Sequence, residues 1–129
     1  MTIDKLLPGW REAVLALGDS ILFVAALWLA LSLRHIHIVD ADNFLRHAFP
    51  FSLIFCGWLA VFHGLGLHDL RQLHVLTSAV SGLLVAAPIN LALGMSFFYL
   101  LVPEAPAPPP KTHLLLTVLL AHGLALAWR

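Results

Sequence analysis

Hydrophobic residues along this chain come in long runs rather than alternating with polar ones, and the polar residues gather in short stretches between the runs. The first run extends from about Ala13 to Leu33 and stops at Arg34, after which His35, His37, Asp40, Asp42, Asn43, Arg46 and His47 make a polar loop. A second covers about Phe49 to Leu67, with Pro50 where a first helical turn tolerates a missing N–H. It closes on Gly64 and Gly66, followed by the polar turn His68-Asp69-Leu70-Arg71-Gln72. The third spans about Val75 to Val102 and holds Pro88 and Asn90 near its midpoint, where a kink is expected. Then Pro103 to Pro110, PEAPAPPP, cannot be helical and predicts a stiff polyproline-type link before a shorter fourth run, Thr112 to Trp128.

A hydrocarbon core of about 30 Å takes about 20 residues of helix to cross, because backbone polar groups have to be satisfied within the segment. All four runs approach that length. The pattern therefore predicts an all-α fold, an integral membrane bundle of four transmembrane helices (about 13–33, 49–67, 75–102 and 112–128) in a single membrane domain over 1–129.

Composition agrees with a bilayer as solvent. Of 129 residues 60% are hydrophobic and 11% charged, with a mean hydropathy of +0.92, where a soluble domain carries about 25% charged residues. Seven basic and seven acidic residues cancel, which leaves no basic stripe for nucleic acid. The single cysteine, Cys56, rules out an intramolecular disulfide and a cysteine-built metal site. Lys5 and Arg11 precede the first run, but Asp19 lies within it and no small-residue cleavage site follows, so this helix is expected to stay in the mature protein. An even number of spans puts both ends on one side. Lys5, Arg11, Arg71 and Arg129 fall on that side and Arg34, Arg46 and Lys111 on the other, a bias toward cytoplasmic termini.

The polar residues inside the runs are the candidates for chemistry. Asp19 is an ionisable group in a membrane segment, which costs a few kcal/mol near the bilayer centre unless satisfied. It reads as a structural anchor met by Ser20, water or a cation from a neighbouring helix, the sharper alternative being a proton-coupled transport carboxylate. Pro88 and Asn90 read as a kink satisfied by neighbours, or else as the break of a substrate-lining helix. The eight histidines raise a metal site, but His35 and His37 are two apart and would face different sides of a helix. His63, His68 and His74 are expected at the interface around the second loop, and His122 as a polar contact inside the bundle. Small residues along the third run, Ser78, Ala79, Ser81, Gly82, Ala86, Ala87, Ala92 and Gly94, favour close helix packing in a bundle or a homo-oligomer. No set of residues has the spacing of a catalytic site, a bound cofactor or a metal centre.

Three segments carry a family resemblance. Pro50 to Arg71, PFSLIFCGWLAVFHGLGLHDLR, resembles the second helix and following turn of the bacterial polyprenyl glycosylphosphotransferases, with His68 where that family usually has tyrosine. Pro110 to Arg129, PKTHLLLTVLLAHGLALAWR, is similar to the opening and closing of the family's fourth helix, with His113 in place of the usual asparagine. Gly18-Asp19 ahead of an apolar run ending in Leu33-Arg34 is similar to its first helix. The resemblance implies a membrane-anchoring N-terminal region, followed in the parent by Rossmann-like and catalytic domains. Related nucleotide-sugar epimerases and dehydratases share this arrangement. The transferases move a sugar 1-phosphate from a nucleotide sugar to undecaprenyl phosphate, in exopolysaccharide, capsule or O-antigen biosynthesis. Their catalytic residues and magnesium belong to the later domain, so none is carried over to this chain.

The expected partners are thus the lipid bilayer, a polyprenyl phosphate lipid, the downstream catalytic domain and a second copy of the chain. The expected location is the bacterial cytoplasmic membrane. Gly66, Leu67, His68, Asp69 and Arg71, in the most family-like polar turn, are expected to dock the catalytic domain. The alternative is a self-contained four-helix transporter or lipid-linked sugar flippase, a class that shares the length, the four spans and a first-helix carboxylate.

Overall fold

A computed structural model describes residues 9–35, 38, 40–69, 75–101 and 111–129. The described residues form four helices, α1 (Trp10–His35), α2 (Ala41–Gly64), α3 (Leu76–Ser96) and α4 (Lys111–Trp128), with no strand among them. The first three are long and apolar enough to cross a membrane, and α4 is a shorter apolar helix. The chain is an all-α, integral membrane four-helix bundle. The proline-rich segment before α4, and with it Arg71, His37 and His74, lies outside the described residues.

One boundary differs markedly from that which the hydropathy pattern predicts. The loop expected between the first two spans is largely helix. Asp40, extended at φ −70° and ψ 161°, caps α2 by accepting from the Asn43 N–H at 3.3 Å, which starts the helix at Ala41 rather than near Phe49. His47 adds a bond from Nδ1 to the Asn43 carbonyl, at 2.9 Å. Pro50 consequently sits inside α2 rather than in its first turn. A helical backbone satisfies its own polar groups whatever its side chains are, so hydropathy marks the lipid-embedded part of a helix and not its end. Helix α3 holds Pro88 within it and continues into a π-helical turn, Phe97–Leu101.

Each helix packs on two neighbours: α1 on α2 and α4, and α3 on α2 and α4. Aromatic rings fill the centre. Phe23 of α1 meets Phe55, Trp58 and Phe62 of α2 with ring centroids 5.4 to 5.5 Å apart, the latter two edge-on. Large apolar side chains also cover the outside, among them Leu17, Ile21, Leu53, Leu84, Leu93 and Leu119, each more than two-fifths exposed. In water this would be an aggregating surface, whereas in lipid it is the expected one.

Candidate functional site

Two of the buried polar side chains, Asp19 and His68, meet Arg129 at the end of α4. Helix α4 runs to Trp128, and the next residue, Arg129, reaches Asp19 of α1. Asp19 lies nine residues after Trp10, about 13 Å along the helix at 1.5 Å per residue. The turn after α2 closes over this pair through His68 and the Leu67 carbonyl.

That closure depends on a sharp reversal after Gly64. Gly66 takes φ 73°, a conformation costly for residues with a Cβ. Its N–H bonds the His63 carbonyl at 3.1 Å, and the Leu67 N–H bonds the Phe62 carbonyl at 2.9 Å. Leu67 then turns inward onto α3, where its side chain approaches within 2.7 Å of the point a Cβ would occupy on Gly82. Leu67 and His68 end up buried, at 3% and 4% exposure. His68 was expected at the interface from its loop position; the inward reversal places it against α1 instead.

At the bottom of the turn three segments meet on one carboxylate. Arg129 grips Asp19 with two parallel bonds, Nη1 to Oδ1 at 2.9 Å and Nη2 to Oδ2 at 2.7 Å. His68 Nε2 donates to Oδ2 at 2.9 Å. The guanidinium also donates to the carbonyls of Ala125, at 3.1 Å, and Leu67, at 3.4 Å, and lies 5.4 Å from the Phe62 ring centroid. The Asp19 and Arg129 side chains are almost wholly buried. A lone charge here would be very costly, so each makes the other's position tenable. Gly18 permits the close approach: a Cβ there would lie 2.9 Å from the Trp128 indole.

A second polar group lies deeper. His122 Nδ1 donates to the Val118 carbonyl at 2.7 Å, which leaves Nε2 to accept from the Asn90 amide at 3.2 Å. Trp58 Nε1 donates to the Asn90 backbone carbonyl at 3.1 Å. Asn90 thus joins α2, α3 and α4 at the level of the aromatic core. The Phe62 ring separates the two groups, with centroids 5.4 Å from His122 and 6.3 Å from His68.

Chemically, this arrangement fixes helices. The Asp19 carboxylate is neutralised and fully buried, so it offers no free group to a passing ion. Among the described residues no three His, Cys, Asp or Glu side chains are grouped to hold a metal ion. Of the residues expected to dock a downstream domain, Leu67 and His68 face the bundle, Asp69 is half-buried, and Arg71 is outside the described residues. Sequence reasoning missed Arg129 as the partner of Asp19, 110 residues away. The signal was present: four antiparallel spans bring the start of the first and the end of the last to one side, and an intramembrane carboxylate calls for a cation.

Comparison with known proteins adds no family: no family model matches the chain, and neither a curated protein nor a solved structure matches it.

Proposed function

We propose that this chain is the membrane-anchoring N-terminal domain of a bacterial polyprenyl glycosylphosphotransferase. In this reading it holds a cytoplasmic catalytic domain beside its lipid phosphate acceptor, lies in the cytoplasmic membrane with both termini inside the cell, and takes no part in the chemistry. The observation that supports it is the meeting of the three family-like segments. Gly18-Asp19, Leu67-His68 of the second-loop turn and the closing Trp-Arg converge on a single buried ion pair. Segments far apart in sequence that serve one cluster give the resemblance a physical content, since Asp19, His68 and Arg129 each then have a partner. The locked Asp19–Arg129 pair also speaks against a transport carboxylate, which has to exchange protons or ions with water.

The reading frame past Arg129 tests the proposal. A continuation encoding a Rossmann-like domain and then a transferase domain is the expected result. A stop codon with no transferase gene beside it would overturn the reading.

A further inference from the structure

Beside the Asp19 cluster, a crevice of about 330 Å³ opens between the first turns of α1 and the last turns of α2. Its sides are small and apolar, chiefly Ala13, Ala16 and Ala60, and its polar lining is Glu12, His63 and His68. His68 forms the inner wall, held by its bond to Asp19, and its ring centroid is 6.1 Å from that of His63.

The depth of the crevice is set by its neighbours. Trp10 is 72% exposed at the start of α1, with the Arg11 guanidinium 5.4 Å from its ring centroid. An exposed tryptophan beside a cation at a span end marks the headgroup layer. Glu12 is the next residue, and His63 lies in the last turn of α2. The crevice therefore faces the headgroups, and its alanine walls continue toward the acyl chains.

Charge narrows what fits. Asp19 and Arg129 cancel each other behind the wall, which leaves the Glu12 carboxylate as the formal charge lining the crevice among the described residues. An occupant from the bilayer has to bring a compact cationic donor for Glu12, an acceptor for an imidazole N–H, and an apolar tail for the alanine walls. An anionic headgroup would meet Glu12 with like charge. A quaternary ammonium has no N–H to donate.

We propose that the Glu12–His63–His68 crevice binds the headgroup of a zwitterionic phospholipid bearing a primary ammonium, with the ammonium on Glu12 and the phosphate on His63. This proposal does not depend on the transferase reading.

Native mass spectrometry of the full chain tests it, with phosphatidylethanolamine, phosphatidylcholine and phosphatidylglycerol as probes at equal concentration. The ethanolamine lipid should be retained about fivefold over the choline lipid, the factor expected of one interfacial ion pair. Glu12→Gln should remove most of that preference, whereas His63→Gln should lower retention of both zwitterionic lipids and leave the preference between them in place. Both residues lie at the surface, and unchanged helical circular dichroism would verify that the variants fold. Equal retention of the three lipids, preference for phosphatidylglycerol, or wild-type selectivity in Glu12→Gln would overturn the assignment.

Discussion

Asp19 shows how much one side chain can decide in a bilayer. Asp19→Asn removes the charge that satisfies Arg129 and leaves a guanidinium almost wholly buried. Breaking a buried pair from one side costs about 3–5 kcal/mol, whereas removing both charges is far milder. We therefore expect Asp19→Asn to lower unfolding stability in detergent micelles by that amount, and Asp19→Asn with Arg129→Gln to recover most of it. A single variant as stable as the wild type would show that the pair contributes nothing. Gly66 acts on the backbone in the same region. At φ 73° a Cβ is strained by about 1–3 kcal/mol, so Gly66→Ala should destabilise the bundle by that amount, and Gly64→Ala, where nothing lies within 4 Å of the added carbon, should do so less. Equal effects from the two glycines would remove the turn geometry from the argument.

Helices α2 and α4 show opposite relations to their hydropathy. Helix α2 is longer than its apolar run because Asp40 caps it well before the apolar run begins. Asp40→Ala should cost about 1 kcal/mol and act locally, raising amide exchange at Asn43 and Phe44 while the rest of the bundle keeps its protection. Uniform loss of protection along α2 would contradict a local cap. Helix α4 is short and buries a polar side, with His113, Thr117 and His122 all under 10% exposed. The Thr117 hydroxyl closes on the His113 carbonyl at 2.6 Å, so that this side makes its own hydrogen bonds. Its seat against α1 requires Gly18, where a larger side chain would collide with Trp128. Gly18→Leu should cost about 1–3 kcal/mol through overpacking. Retention of wild-type unfolding behaviour would mean that Trp128 has room to move aside.

At the scale of the molecule, the four antiparallel helices put the α1 start, the α2–α3 turn and the α4 end on one side of the bundle. In the proposed reading that side faces the cytoplasm. Reporter fusions after Arg129 and at Asp40 should therefore give cytoplasmic and periplasmic signals respectively. The reverse pattern would invert the topology and remove the anchor reading with it.

The number of spans, their order and the bilayer as solvent were legible in the sequence, because length and hydropathy alone decide whether a segment can lie in hydrocarbon. The polar residues that mattered were visible too: Asp19, Asn90, His68 and His122 all interrupt or border apolar runs. What they bond to was not. That Asp19 meets Arg129 and His68, and that Asn90 joins His122 while Trp58 donates to its carbonyl, depends on the rotation and depth of each helix. Those are fixed by contacts such as Leu67 on Gly82 and Trp128 on Gly18. Nor could hydropathy show that the second-loop turn folds inward, since the partners of Leu67 and His68 lie on α3 and α1. A one-dimensional pattern records which groups have to be satisfied, whereas the partner of each is chosen by packing between segments distant along the chain.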